Sequence, residues 1–526
     1  MNKQTFIDAV GDIAPEYVEE AAPRAKRKRF SWAIPAAAAA VLLIGCGLIL
    51  PKILNPGPDS AHTAALGTEY PADTAIAPTE AADTDGHSDG LDPEASNAEG
   101  VDSEGVDEAS YGKYLAAEPE ERDYAVCPNF EGESADYCRL LSAWEDASWK
   151  RRSAGKKAES IYVFSLELMR ELATEAGNAN AVCSPENVWL ALAMLSECTG
   201  GETRAELLSA LGQSDMASLR KNVKALFAAD CCEDGITTSV LANSVWLNKK
   251  YGFNSETLSH LAEDHGAWAF WGDPSDSAYS EALRGWLNEH TGGLLKDSVK
   301  NIELDPQTLI ALASTVYFKG AWGESFPRSA TDTGIFHSPE GDIEVDMMHK
   351  ETESAAYYSL NGLTAVREEI DSAGNAVWYL LPNEGVSVSE MLASSETAEL
   401  LNGAKRGKVV PIAMTVPKYD VNSDTDLIPA LERMGVESCF GPGADFTPLT
   451  DEEVFVSSVR HAARVKADEE GVEAAAYTLI IAPTSAEAPD PVVPIEFTLD
   501  RPYAFVITGV SGAPLFMGVV NDPAGN

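Results

Sequence analysis

Residues 467–494 read ADEEGVEAAAYTLIIAPTSAEAPDPVVP, and the reading of this stretch decides the fold. It opens with three acids and a glycine, Asp468 to Gly471, and after Glu473 it carries no charged side chain until Glu487. The AAA run favours helix but is too short to hold one alone, and the YTLII that follows favours strand. Read with period two, one face carries Val472, Ala474, Ala476, Thr478, Ile480, Ala482 and Thr484, with no charge and nothing large. Such a face can be buried under close-packed helices. The exit through Pro489, Pro491 and Pro494 and the smallness of the residues instead suit an exposed loop. Two readings stay open on these residues alone: an ordinary hairpin strand with a linker, and a strand that forms only under some condition.

Composition narrows the function. The chain has 526 residues, with 38 basic against 83 acidic side chains and a net charge of -45. No basic face survives in such a field without clustering, so nucleic-acid binding is excluded. Eight cysteines are sparse for this length and form no CxxC pair, which argues against a zinc site and against a disulfide scaffold. Cys127 with Cys138 is the pair worth testing for a bridge. No GxSxG, HExxH, P-loop or GxGxxG occurs, so neither an enzyme nor a cofactor or metal is expected.

The N-terminal third looks like an address. Residues 1–29 hold a short amphipathic pattern and then a basic cluster, Arg24 and Lys26 to Arg29. Residues 30–50 carry no charge, and as a helix they would span about 30 Å. Basic residues on the N-terminal side predict a cytoplasmic N-terminus, a single-pass anchor at 30–50 and an exported remainder. The box Leu43, Ile44, Gly45, Cys46 also fits a lipoprotein cleavage site with Cys46 lipidated. Residues 51–112 form an acidic stalk: from 53 on there are fourteen Asp or Glu and no Lys or Arg, a composition that cannot build a core. Residues 113–159 read as an extension with a helix near 137–157, and 160–526 as the main domain.

In that domain IYVFSLELMRELATEA is an amphipathic helix, and Ser184 with Pro185 reads as cap and first turn of the next. ALRGWLNEHTGGLL (282–295) is a helix stopped at Gly292 and Gly293, with Trp286 on its apolar face. TLIALASTVYFKGAW (308–322) is a strand, and VFVSSVRHAARV (454–465) another. Strands mixed with grouped helices give an α+β class.

These motifs carry a resemblance. GVEAAAYT resembles the hinge of the serpin reactive-centre loop. "YFKG-W" with Trp322, the helix with Trp286, and IEFTLDRPYAFVITGVSGAPLFMGVVNDP at the C-terminus are similar to serpin motifs in order and spacing. The resemblance covers roughly residues 160–523. It implies a large central mixed β-sheet with additional sheets, about nine helices and an exposed reactive-centre loop. It also implies a bacterial, membrane-anchored, extracellular inhibitor that works by suicide cleavage and loop insertion, with a non-inhibitory binding or substrate module as the alternative.

Residue roles follow from the same likeness. The hinge would be Gly471, Val472, Glu473, Ala474, Ala475 and Ala476, and the breach residue Trp322. His461, Ser184, Asn187 and Ser314 match the shutter, with Asn and Ser exchanged between two positions, so the polar network is expected to survive with swapped partners. Ala462 stands where lysine is usual. Counting from Gly471 places the reactive bond between Ser485 and Ala486, with a shift of one or two residues left open. Tyr477, where a small residue is usual, would face solvent by alternation. No Lys or Arg lies between Ala467 and Asp500, so a trypsin-like target is excluded on charge. The expected partners are serine proteases with small pockets, elastase-like or subtilisin-like, and also cysteine proteases, met by a monomer held at the membrane through its N-terminal helix.

Overall fold

The structure is a computed structural model that describes residues 38–48, 109–119, 135–155, 161–235, 237–370, 374–472 and 493–525. The chain separates into two units, Met1–Ile49 with Asp107–Asn526, and Leu50–Val106; the second lies wholly outside the described residues. The amphipathic segment, residues 51–108 of the stalk and Cys127, one half of the pair with Cys138, also fall outside what is described, while Ala109–Gly112 and Ala135–Gly155 are helices.

The α+β expectation holds: the described residues form two large mixed sheets and about nine helices. The first sheet contains β1 (Ala38–Leu48), β2 (Leu115–Ala117), β3 (Thr237–Asn248), β4 (Ala267–Gly272), β5 (Thr308–Ala321), β6 (Tyr419–Asp426), β7 (Val454–Ala467) and β8 (Gly471–Val472). Its spatial order is β6-β7-β1-β5-β3-β4-β2, with β8 added on β5. The second sheet runs from Ile495–Thr498 to Ala181–Cys183, and its C-terminal strands Tyr503–Thr508 and Pro514–Val520 are buried throughout.

Helices cover the first sheet on both faces. Helix α1 (Ile161–Ala176) packs on α2 (Pro185–Cys198). The α2 start is fixed by Ser184, whose hydroxyl accepts the Asn187 N–H, and by Pro185 in the first turn. On the opposite face lies α3 (Ser277–His290), with Tyr279, Leu283 and Trp286 buried.

The expected membrane anchor is overturned here. Among the described residues no helix is long and apolar enough to cross a membrane, and residues 38–48 are strand β1 in the middle of the first sheet. Every side chain from Ala39 to Cys46 is at most 8% exposed. Ala40, Leu42, Ile44 and Cys46 join the core on the α2 side, while Ala39, Val41 and Leu43 join the cluster of Trp246, Tyr279 and Trp286. A strand buried on both faces reads as an unbroken apolar run, the same signal a membrane helix gives. The single-pass topology, the membrane partner and the placement at the cell surface go with the anchor. The lipidated alternative fares no better, since Cys46 is fully buried in β1.

Candidate functional site

The candidate site is the line between β5 and β7, from the Asp468–Gly471 turn at its top to the histidine at its middle. At the top, β7 ends at Ala467 and the chain reverses through the three acids. Asp468 and Gly471 exchange backbone hydrogen bonds of 3.1 and 3.3 Å, and Gly471 and Val472 then pair with Ala321 and Gly320 of β5. Only glycine fits at 471. Its φ is +152°, and a Cβ there would lie 2.4 Å from the Gly320 carbonyl oxygen.

Each acid of the turn is held. The Trp322 indole N–H donates to the Asp468 carbonyl at 2.8 Å, and Trp322 itself is 2% exposed. Glu469 accepts from the Thr331 hydroxyl at 2.8 Å and from Lys418 Nζ at 2.7 Å. Burial pushes the Glu469 carboxyl up, but those two hydrogen bonds pull it below the ordinary range. Glu470 pairs with Arg328. Beneath Trp322 and Phe326 lies a buried ion pair, Lys350 Nζ to Glu368 Oε1 at 2.6 Å, with the ammonium 4.5 Å from the Phe326 ring centre. Sequence reading found Trp322 and missed Lys350, Glu368, Thr331 and Lys418. These four lie far apart in the chain, and no local pattern marks them.

At the middle, Ser184 and His461 come together: the Ser184 backbone N–H donates to His461 Nε2 at 3.0 Å. The other ring nitrogen, Nδ1, donates to the Val41 carbonyl at 3.1 Å. The imidazole is therefore neutral, with its proton on Nδ1. Burial drives its pKa down to about 4, against a small upward pull from the Val41 carbonyl. Asn187 Nδ2 donates to the Ala40 carbonyl at 2.9 Å. Asn187 Oδ1 and the Ser314 hydroxyl make no hydrogen bond among the described residues. An exchange of partners between Asn187 and Ser314 is thus not what joins this group. Strand β1 joins it, through two carbonyls.

The body of the slot is occupied by β1, antiparallel to both neighbours. Leu42 stands opposite Ser314 of β5 and His461 of β7. The register shifts between Gly45 and Cys46 on β7 and between Cys46 and Gly47 on β5, and pairing resumes to Leu48 on β7. Residues 473–492, and with them Glu473 to Ala476, Tyr477, Ser485 and Ala486, lie outside the described residues. On the face of β1 toward α3, Val41 is 2% exposed.

The profile of the family described as "Serpin (serine protease inhibitor)" matches residues 159–523. Serpin-Z1C of Triticum aestivum is 27% identical over 380 residues, covering 68% of this chain and 94% of its own length. The leukocyte elastase inhibitor of Sus scrofa is 29% identical over 374 residues, covering 68% and 97%. Among solved structures, human thyroxine-binding globulin complexed with thyroxine superposes with a TM-score of 0.60 at 22% identity, covering 70% of this chain and 99% of that one. That likeness speaks for the fold alone. The matched relatives are plant, animal and archaeal, so the expectation of a bacterial, membrane-held member is not supported.

Proposed function

Because this chain belongs to the serpin family, on the match across residues 159–523, we propose that it inhibits serine proteases by offering a bait and inserting the cut arm into its first sheet. The observation that carries this reading is the seat of Gly471 and Val472 on β5. That seat is on the same edge of β5 that β1 occupies, at the head of the slot between β5 and β7. Burial of that arm needs residues without charge, and residues 474–486 have none. The hinge is Gly471 to Ala476, Trp322 closes the breach above it, and Ser184, Asn187, Ser314 and His461 form the shutter below. The bait bond is Ser485–Ala486. A serine flanked by Thr484 and Ala486 suits a small specificity pocket, which favours elastase-like and subtilisin-like targets. The likeness to a leukocyte elastase inhibitor points the same way.

One observation favours a second reading, a module that is cut without trapping: the slot is already full. A sheet with β1 seated has no room for another strand. The test is incubation with pancreatic elastase and with subtilisin, of the wild type and of a variant whose slot is emptied. An SDS-stable complex near the summed mass supports trapping. A clipped product alone, from both proteins, overturns it. Ser485→Arg adds a check on the bond: it should create a trypsin complex that the wild type lacks, with the new N-terminus at Ala486.

A further inference from the structure

Strand β1 lies outside residues 159–523, the part of the chain that matches the family, yet it completes the first sheet. Its register shows what it replaces. Val472 stands opposite Gly320, and Ala38 stands opposite Phe318. Extending the hinge along β5 from Val472 would put Glu473 opposite Lys319 and Ala474 opposite Phe318, the place Ala38 holds. From there the two segments would run in step. Residues 38–46 read AAAVLLIGC and residues 474–482 read AAAYTLIIA, identical at five of nine positions: the three alanines, Leu43 with Leu479, and Ile44 with Ile480. Neither segment carries a charge.

The faces agree as well. Ala40, Leu42, Ile44 and Cys46 face the α2 side, and the residues in step with them, Ala476, Thr478, Ile480 and Ala482, belong to the uncharged small face of the hinge. We infer that residues 38–48 are an internal stand-in for the insertion arm. The slot between β5 and β7 is a binding site for one charge-free extended segment, and β1 and residues 474–482 exclude each other from it. Trapping is held off while β1 is seated. The inference rests on the trapping reading for what an emptied slot does, and not for what fills it.

The stand-in is the poorer occupant at one position and the better at another. Leu42 brings no hydrogen-bonding group to Ser314, whose buried hydroxyl has no partner among the described residues. Thr478 in that place brings a hydroxyl. Tyr477 in the place of Val41 is bulkier against the α3 cluster, so α3 must yield before the arm can enter. Exchange is thus favoured by the polar middle of the slot and delayed by its covered face.

The test uses the full chain. Hydrogen exchange read by mass spectrometry follows the amides of 38–48 and 474–482 before and after elastase cleavage within 482–488. Protection is expected on 38–48 in the intact protein and on 474–482 after cleavage. Free exchange of 38–48 in the intact protein overturns the inference, and so does its continued protection after cleavage with 474–482 still exchanging. Leu42→Asp puts an unpaired charge in the slot and is expected to release 38–48 and speed the elastase complex at least tenfold. An unchanged rate with 38–48 released overturns the claim that β1 holds trapping off. A swap of protection after cleavage with no complex from either protein upholds the exchange and removes the trapping reading instead. Should Leu42→Asp fail to fold, a lock carries the same test. Ala40→Cys with Val316→Cys, opposite in the register, is expected to give at least tenfold less complex, or less protection of 474–482 after cleavage, when oxidised than when reduced. Equal behaviour in both redox states overturns the inference.

Discussion

The top and the middle of one slot are held by different physics. At the top, Asp468 to Gly471 are fixed by charged partners that still see water: the Lys418 side chain is 34% exposed and that of Arg328 70%. In the middle, β1 is fixed by apolar side chains and by backbone carbonyls that meet the buried His461 and Asn187. Surface ion pairs contribute little and are screened by salt, whereas buried apolar contacts and neutral hydrogen bonds are not. The difference predicts that the Asp468–Gly471 turn loosens more readily than the occupant of the slot. The middle should therefore be more sensitive to volume and to proton uptake than the top.

The largest effect should come from Ile44→Ala. Ile44 is fully buried on the α2 side, and such a truncation costs about 2–5 kcal/mol through lost burial and the cavity left behind. Urea unfolding of the intact chain should show that loss, and a cost under about 1 kcal/mol would mean that β1 is no core strand. Next comes proton uptake. His461 is held at about 4 against an ordinary 6.5. The unfolded chain therefore takes up a proton near pH 6.5 that the folded chain refuses until about pH 4. Stability drawn from the neutral ring is complete above pH 6.5 and falls as the pH drops through that window, by about 3 kcal/mol in all. Glu186 and Asp230, whose carboxyls are pushed up by burial, act in the opposite direction. The comparison is therefore wild type against His461→Gln at pH 7.5 and pH 4.5. Any advantage of the wild type should shrink by about 2–3 kcal/mol at the lower pH. A constant difference would contradict the burial assigned to the ring.

At the top, Gly471→Ala should cost about 2 kcal/mol, because both the positive φ and the Gly320 carbonyl oppose a Cβ there. A cost larger than that of Ile44→Ala would reverse the contrast between the two regions.

What was legible in the sequence follows the same division. The α2 cap at Ser184, the strand ending in Phe318 and Gly320, and the helix with Trp286 were readable because each rests on a local rule of capping, alternation or period. Gly471, Trp322 and His461 were readable from the family likeness. The anchor at 30–50 was misread because charge-free runs are demanded alike by lipid and by a strand covered on both faces, and periodicity cannot separate them. The sequence did hold a discriminating signal, the near repeat of 38–46 at 474–482, which marks two segments shaped for one place. Lys418, Thr331 and Lys350 were beyond reach, since only the fold brings them to Glu469 and Glu368.

The smallest effect tests the contrast most directly. Lys418→Met removes one of two hydrogen bonds to Glu469, leaving Thr331 and the chain turn in place. Because the lysine is a third exposed, the loss should be about 1 kcal/mol. Its sign with pH is fixed. The Glu469 carboxyl sits below its ordinary range, so the pair stabilises above the unfolded carboxylate pKa and ceases to do so as pH falls below it. Salt should act on this variant and not on the middle of the slot. In 1 M sodium chloride the gap between wild type and Lys418→Met should fall by more than half, since screening then reaches about 3 Å. The gap between wild type and Ile44→Ala should hold. If both gaps closed together, the two ends of the slot would be one cooperative unit, and the Asp468–Gly471 turn could not move without unseating β1.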